Sequence, residues 1–169
     1  MEEKIYPKIQ IVDENDNFLD NVGYFEALDM GAIRRAARIF VFNESGQFFV
    51  QKRSKNVSKP LLFDQSAAGH VDEGETYHEA AVRELYEELG LEGFELDLIA
   101  ESYRSPGFYS NIYKLIITDN QPIDFDPHEV DSMHWMEISD IDKLVSESPE
   151  LCTDSLTAIW PDIKTKLLS

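Results

Sequence analysis

Cysteine is almost absent from this chain of 169 residues, in which Cys152 is the only one. A single thiol cannot form an intrachain disulfide, so the sequence indicates a reducing compartment, and we expect the cytoplasm. No apolar run is long enough to span a membrane, and the charged start Met1-Glu2-Glu3-Lys4 lacks the apolar stretch of a secretory signal. We therefore expect no association with a membrane.

Basic residues are also scarce. Lys and Arg number 15 against 33 Asp and Glu, which gives a formal net charge of −18. A surface that binds nucleic acid needs stripes of Lys and Arg, so this class of partner is excluded. The same charge repels free anionic substrates, and an enzyme of phosphates with this surface would depend on bound metal. An acidic protein without such chemistry is the alternative, and charge alone does not decide between them.

Length and hydrophobic content predict a single domain. A chain of 169 residues that are 43% hydrophobic can bury an adequate core. Lys8 to Val12 alternates as a strand, and a return strand begins at Phe18, which predicts an N-terminal hairpin. We assign this hairpin to an extension over residues 1–33, ahead of a main domain over residues 34–169.

Further elements follow from periodicity and turn residues. Strands are predicted at residues 38–42, 48–53, 65–68, 94–103, 109–118 and 130–136. Residues 24–30 are predicted to form a short helix or an ordered loop. Helices are predicted at 77–89, at 139–145 and from 155. Ser139 is expected to cap the third helix, with Asp142 at the reciprocal position of a capping box. Pro161 is expected to kink or divide the last helix.

The helix that begins near Tyr77 is the most informative element. Thr76 and Glu79 are spaced as a capping box, and Gly90 fits the left-handed residue just past the helix end. At 3.6 residues per turn, one face carries three carboxylates. They belong to Glu84, Glu87 and Glu88.

Another stripe of this helix is apolar and can pack against a core. It comprises Ala81, Val82, Leu85 and Leu89. Like charges at these helical spacings cost roughly 0.2–0.5 kcal/mol per pair, so the three carboxylates favour binding of a cation. Oxygen ligands of this kind suit a hard divalent ion such as Mg²⁺ or Mn²⁺. A solvated acidic helix face is the alternative.

The spacing around the helix forms a longer pattern. Gly69 is followed by five residues and Glu75, then by seven residues and the run Arg-Glu-Leu-x-Glu-Glu-x-Gly-Leu, which ends at Leu91. In this box the chain resembles the Nudix hydrolases, and it resembles them more weakly, in the order of its elements, from about Arg34 to Leu144. The resemblance implies an α/β fold, a Nudix-type α/β/α sandwich with a mixed β-sheet.

The resemblance also implies roles for the residues of the box. The metal ligands for Mg²⁺ or Mn²⁺ would be Gly69, through its carbonyl oxygen, Glu84, Glu87 and Glu88. Glu84, Glu87 and Arg83 would be the catalytic residues, and Glu84 is our choice for the general base. We expect Glu75 to pair with Arg83 and to support the loop against the helix.

Three positions beyond these are further candidates. Glu129 lies where many Nudix hydrolases have an additional metal-binding or basic glutamate, and a solvated loop acid is the alternative. Arg53 is a candidate contact for substrate phosphates, against an ordinary surface cation. His70 is a candidate substrate contact, against a structural histidine.

Several segments resemble the branch of the family that includes isopentenyl-diphosphate isomerase. They are Val12-Asp13-Glu14, Gln51-Lys52-Arg53-Ser54 and Ser66-Ala67-Ala68-Gly69-His70. That isomerase has a catalytic cysteine directly before the Gly-His pair, where this chain has Ala68. It also takes metal-binding histidines from a segment where this chain has Arg34-Arg35. Because alanine cannot transfer a proton to or from carbon, isomerase activity is disfavoured.

The predicted function is hydrolysis of a diphosphate linkage in a nucleoside diphosphate joined to another moiety, with a divalent metal. The partner is then a small-molecule diphosphate substrate, whose identity the sequence leaves open. The alternatives are an isomerase like the one above and a catalytically silent nucleotide-binding module. Oligomeric state is also open, and a homodimer formed through the N-terminal hairpin is one candidate.

Overall fold

The computed structural model of the protein describes residues 5–169. Residues 1–4, on which the prediction about a secretory signal depends, lie outside this range. The strands are β1 (Ile9–Val12), β2 (Phe18–Val22), β3 (Ile33–Asn43), β4 (Phe48–Arg53), β5 (Phe63–Asp64), β6 (Ala67–His70), β7 (Asp97–Ser105), β8 (Phe108–Ile117) and β9 (Val130–Met136). The helices are α1 (Tyr24–Asp29), α2 (Tyr77–Leu89), α3 (Ile138–Glu147) and α4 (Asp154–Leu168), with a 3₁₀ turn at Pro149–Leu151.

One mixed sheet contains the nine strands found in residues 5–169. β3 is its central strand, and along one edge it runs parallel to β8, from the pair Arg34–Phe108 to the pair Asn43–Ile117. Its other edge pairs in turn with β1, β6 and the start of β4, all antiparallel. β7 continues the sheet beyond β8, and β5 and β9 flank β4. The mixed sheet expected from the sequence is confirmed.

Side chains along β3 alternate between two hydrophobic cores, as the period of two in a strand requires. Ala37, Ile39 and Val41 face the first core, which α2 covers. Phe40 and Phe42 face the second core, which α3 and α4 cover. Helices therefore cover both faces of the sheet, and the α/β/α sandwich is confirmed.

Helix α2 begins and ends where its sequence predicts. Thr76 Oγ1 accepts a hydrogen bond from the Glu79 amide at 3.1 Å, and Glu79 Oε2 accepts one from the Thr76 amide at 2.8 Å. Gly90 closes the helix with φ of 66°. The apolar stripe differs at one position, because Val82 is 39% exposed while Ala80 is buried. Val82 lies one residue beyond Ala81, about 100° further around the helix and away from the core.

The C-terminal helices differ from their sequence patterns. Helix α3 begins at Ile138 after Glu137, and no side chain caps it. The predicted Ser139–Asp142 capping box is therefore wrong. Asp142 instead accepts hydrogen bonds from Trp160 Nε1 at 2.9 Å and Lys164 Nζ at 2.7 Å, which fastens α3 to α4.

Two other boundaries also differ. Helix α4 continues through Pro161 as one element, so a division of the helix there is wrong, while a kink at Pro161 stays a prediction. Strand β7 begins at Asp97 rather than Phe94, because Asp97 makes the first pair with β8 while Phe94 packs against the first core. Cys152 is buried, and this burial raises the pKa of its thiol to about 11, as suits a structural thiol.

The N-terminal hairpin of β1 and β2 is present and joins the main sheet through β3. The side-chain amide of Gln10 donates to the carbonyl oxygens of Asp72 and Glu75, at 2.9 and 2.8 Å. The hairpin thereby braces the loop that leads into α2. The division of the chain at residue 33 stays a prediction.

No helix within residues 5–169 is both long enough and apolar enough to cross a membrane.

Candidate active site

Strand β6 and helix α2 form the frame of the candidate site. In the register of β6 with β3, Gly69 lies opposite Ala37, which faces the first core, so Gly69 faces α2. A Cβ atom placed on Gly69 would lie 1.9 Å from Glu84 Oε1 and 2.1 Å from Glu84 Cδ. Position 69 therefore requires glycine, because the side chain of Glu84 lies directly on the strand.

Arg83 is the centre of the polar contacts on the loop side of α2. Its Nε lies 2.6 Å from Glu75 Oε1 and its Nη2 3.0 Å from Glu75 Oε2, so the expected Arg83–Glu75 pair is present and bidentate. Nη2 also donates to the carbonyl oxygen of His70 at 2.9 Å and lies 3.3 Å from Asp72 Oδ2. A bidentate guanidinium pair fixes geometry as well as charge. Arg83 thus ties the loop, β6 and α2 together.

Glu88 is held at the free edge of β6. The side-chain amide of Gln51 donates to Glu88 Oε2 at 2.5 Å and to the carbonyl oxygen of Ser66 at 3.0 Å. The amide of Ala68 donates to Glu88 Oε1 at 3.4 Å. These donors fix the direction of the carboxylate against the strand.

Two carboxyl groups of the box are more weakly acidic than usual. Burial raises the pKa of Glu84 to about 7, although the charge and hydrogen bond of Arg83 act in the opposite direction. Burial and then the neighbouring charge of Glu84 raise the pKa of Glu88 well above its ordinary value. Glu84 and Glu88 are therefore close, buried and mutually repulsive, a combination that a cation would relieve.

The three helix glutamates have the chemistry of metal ligands, but the structure does not arrange them as a metal site. Within the described range, no group of three or more His, Cys, Asp or Glu side chains is arranged to hold a metal ion. Arg83 Nη1 contacts Glu84 at 2.6 Å and Glu87 at 3.2 Å, and the Glu87 side chain is 55% exposed. The buried oxygen donors of Glu84 and Glu88 nevertheless fit a hard divalent ion in their chemistry.

Two of the further candidates lie in polar contacts of their own. His128 Nδ1 lies 3.8 Å from Glu129 Oε1, and both side chains are largely exposed. Arg53 donates to the carbonyl oxygen of Ser58 at 2.9 Å and lies 3.4 Å from Asp64 Oδ2. The structure therefore does not draw Glu129 into a cluster with the helix glutamates, and Arg53 is partly committed to Asp64.

His70 lies on the face of β6 opposite Gly69. Its register partner is Ala36, which lies on the same face of β3 as Phe40. His70 Nε2 is buried and has no hydrogen-bond partner in residues 5–169. Burial, followed by the charges of Arg34 and Arg38, lowers the pKa of His70 to about 3, so its imidazole is neutral at pH 7.

Sequence reasoning missed three polar residues that build the site. Gln51 holds Glu88, Asp72 pairs with Arg83, and Gln10 braces the loop between them. Gln10 interrupts an apolar strand, Gln51 follows the apolar run Phe48-Phe49-Val50, and both glutamines are buried. A side-chain amide in a strand that is predicted to be buried needs hydrogen-bond partners. This requirement could have marked Gln10 and Gln51 as candidates from the sequence.

The chain is similar in sequence to several known proteins. The NUDIX domain family model matches residues 32–154. Isopentenyl-diphosphate Delta-isomerase 1 of Photorhabdus laumondii is 26% identical over 165 residues, which cover 92% of this chain and 93% of that protein. An uncharacterised Nudix hydrolase of Nostoc is 30% identical over 141 residues, which cover 79% of this chain and 82% of that protein.

Among solved structures, DR0079 from Deinococcus radiodurans superposes with a TM-score of 0.78 at 24% identity. The superposition covers 92% of this chain and 98% of that one, and at this identity it shows the fold alone. The family match over residues 32–154 spans strands β3 to β9, the box and helix α2. The chain therefore belongs to the Nudix hydrolase family.

Proposed function

We propose that the protein hydrolyses the diphosphate linkage of a nucleoside diphosphate joined to another moiety, with Mg²⁺ or Mn²⁺. The Nudix hydrolase family supports pyrophosphohydrolase activity on small molecules, and its members generally use divalent metal ions. The nucleoside, the second moiety and the identity of the metal belong to the proposal.

The observation that supports it most is the buried carboxyl pair of Glu84 and Glu88 against β6. Two buried carboxyl groups with raised pKa values are unfavourable in the folded protein. Gly69 is required because Glu84 approaches it so closely, and Gln51 and Ala68 orient Glu88. The sequence therefore retains a costly arrangement at the position where this family has its box, which is typical of a functional site.

The residues divide the chemistry among them. Glu84, Glu87, Glu88 and the carbonyl oxygen of Gly69 would hold the divalent ion. When bound, such an ion lowers the pKa of a coordinated water and neutralises charge on phosphoryl oxygens.

Glu84 would act as the general base. Water forms a bond to phosphorus, the bond from phosphorus to the bridging oxygen breaks, and the proton of the water passes to a Glu84 oxygen. Arg83, held by Glu75, positions Glu84 and Glu87 through its own Nη1.

The remaining assignments are also proposals. Arg53 would contact substrate phosphates from the end of β4, and Glu129 would add a carboxylate only after separating from His128. A cytoplasmic location and a homodimer formed through the N-terminal hairpin remain expectations from the sequence.

Isomerisation of isopentenyl diphosphate is the second candidate, because the Photorhabdus laumondii isomerase aligns with almost the whole chain. Ala68 opposes it. An alanine side chain has no group that exchanges protons, and the buried His70 beside it is neutral. A catalytically silent module is opposed by the retained glutamates of the box.

The test is hydrolysis of a panel of nucleoside diphosphate derivatives with Mg²⁺ or Mn²⁺, measured by product chromatography. Wild type is compared with Glu87→Gln and Glu88→Gln, and Glu147→Gln serves as the control because Glu147 is an exposed glutamate of α3. We expect metal-dependent cleavage that the first two variants lose by on the order of a hundredfold, as for loss of a transition-state contact. The control should keep wild-type activity.

Equal activity in Glu87→Gln, Glu88→Gln and wild type would refute the assigned site. Absence of cleavage across the panel, with tight binding of one member, would support the silent module. Conversion of isopentenyl diphosphate by wild type would establish the isomerase and overturn the argument from Ala68.

A further inference from the structure

The face of the sheet opposite α2 carries a polar pocket that the proposed hydrolysis does not use. Arg34 and Arg38 point to this face from β3, and His70 points to it from β6. Phe108 lies beside them on β8, opposite Arg34 in the register. We call this group of four residues the arginine pocket.

Small side chains lie between the long side chains of the pocket. Ala36 separates the two arginines along β3, and it lies opposite His70 on one side and Ser110 on the other. The neighbour of Arg38 on β6 is Ala68. The central positions of the pocket therefore carry small residues.

Neither arginine of the pocket has an acidic partner within residues 5–169. Within residues 5–169, no carboxylate lies within ion-pair distance of Arg34 or Arg38, although the chain has 33 Asp and Glu residues. Asp64 is the carboxylate whose charge acts on Arg38, but its own oxygens bind Thr153 at 2.8 Å and Arg53 at 3.4 Å. In so acidic a protein, two unpaired arginines do not reflect a shortage of carboxylates.

The hydrogen-bonding capacity of the pocket is also unfilled. Arg38 is 4% exposed, and the contact of its guanidinium with a polar atom is the bond from Nε to Ser110 Oγ at 3.0 Å. Arg34 Nε and His70 Nε2 are buried without a hydrogen-bond partner in the described part of the chain. Polar atoms of both side chains are therefore left without hydrogen-bond partners among the described residues.

The contacts with Phe108 compensate the buried charges only in part. The ring centroid of Phe108 lies 4.1 Å from Arg34 Cζ and 5.0 Å from Arg38 Cζ. Such contacts stabilise a cation by less than burial without an ionic partner destabilises it. Burial lowers the pKa of Arg38 to about 10, against the opposing charge of Asp64, and the charge of Arg34 also lowers it. The lowered pKa shows that the buried charge is unfavourable.

We propose that the arginine pocket binds a phosphate group. Two guanidinium groups can each direct paired N–H donors to a phosphate, and the neutral imidazole of His70 can donate a further hydrogen bond from Nε2. Two sources supply such a group: a phosphate of the substrate remote from the cleaved linkage, or the phosphate monoester group of a product. The link to the substrate rests on the proposed function, whereas phosphate binding itself does not.

Strand β6 connects the pocket to the candidate catalytic face. Gly69 and His70 are neighbours on opposite faces, and the carbonyl oxygen of His70 accepts from Arg83 Nη2 at 2.9 Å. The free edge of β6, where Glu88 meets Ala68, lies between the two faces. A substrate that passes around this edge would place one phosphate in the pocket and its diphosphate beside the glutamates.

The test measures binding of inorganic phosphate to the metal-free protein in chelator, by titration calorimetry. We expect saturable binding that Arg34→Gln weakens about tenfold or more, because it removes a hydrogen bond to a charged group. Lys166→Gln is the matched control for loss of one positive charge, since Lys166 is exposed on α4, and its affinity should stay wild-type. Glu87→Gln should also bind as wild type, which separates this pocket from the metal site.

Nitrogen NMR of the imidazole gives a second readout that a structural role would not move. The His70 resonance should shift on phosphate addition in wild type and stay unchanged in Arg34→Gln. Circular dichroism verifies folding of each variant, and Arg34→Lys replaces Arg34→Gln where that variant does not fold. The lysine keeps the charge but lacks the fork of donors, so weaker binding is again expected.

Hydrolysis assays then identify the source of the phosphate. If Arg34→Gln lowers kcat/KM about tenfold for substrates with a remote phosphate and leaves other substrates unchanged, the pocket reads the substrate. If phosphate inhibits wild type but not Arg34→Gln, with kcat/KM unchanged for all substrates, the pocket holds the phosphate monoester group of a product. Either result supports the site.

Three results would overturn it: no saturable phosphate binding to wild type, equal binding by Arg34→Gln, or a His70 resonance that phosphate does not move. The protein could instead bind phosphate through Arg34 and hydrolyse no substrate. This result would refute the proposed function and support the phosphate site.

Discussion

At the scale of single residues, the contact between Gly69 and Glu84 sets the tightest steric limit in the site. Gly69→Ala would place a methyl group 1.9 Å from Glu84 Oε1, with Cδ and Cγ of the same side chain also within 2.7 Å. The whole Glu84 side chain would have to move. Because displacement of about 1 Å at a reacting group can cost on the order of a hundredfold, we expect kcat/KM to fall by that factor.

Gly23→Ala is the matched control, since a Cβ there meets no atom within 4 Å and its φ of −63° suits alanine. Steady-state kinetics and thermal unfolding of both variants decide the question. Wild-type kcat/KM in Gly69→Ala would show that Glu84 can leave the strand without loss, and would remove it from the catalytic assignment.

The sequence predicted the residues of the box and the Arg83–Glu75 pair, but not the partners that other strands supply. Glu84, Glu87 and Glu88 follow from helical spacing, and the Arg83–Glu75 pair lies within one short loop and helix. Gln51, by contrast, is far from Glu88 along the chain, and only the pairing of strands brings them together. Arg34 and Arg38 gave no pattern of their own, because their unpaired state is a property of the folded sheet.

At the scale of elements, helix α2 depends on its capping box. Thr76→Ala removes the hydrogen bond to the Glu79 amide, and the expected loss in free energy of unfolding is about 1 kcal/mol. Urea denaturation followed by circular dichroism measures it. Thr165→Ala in α4 is the control, because Thr165 is exposed within a helix and alanine favours that conformation.

An unchanged midpoint for Thr76→Ala would mean that packing of α2 against the first core determines its start without the cap. Boundaries such as this were predictable from sequence where local hydrogen bonds set them. The start of α3 was not, because Asp142 binds Trp160 and Lys164 of another helix, and tertiary contacts override the local capping pattern.

At the scale of the whole molecule, the net charge of −18 should destabilise the compact state through repulsion among its acids. Raising KCl from roughly 10 to 150 mM shortens the screening length from about 30 to 8 Å, so the melting temperature should rise. Differential scanning fluorimetry in chelator measures this. A melting temperature that stays constant or falls would show that the local ion pairs, such as Arg83 with Glu75, outweigh the overall repulsion.

Strand β6 has four residues, and their side chains alternate between the two faces of the sheet. Each face can therefore be changed without changing the other. Substitutions at Ala68 or His70 change the face with the arginines, while Gly69 meets only the glutamates. In the proposed site, substrate preference would therefore be altered, by evolution or by engineering, at one set of positions without changing the residues assigned to bond cleavage. A combinatorial library restricted to Arg34, Ala36, Ala68 and His70 would explore new specificities within an unaltered reaction centre.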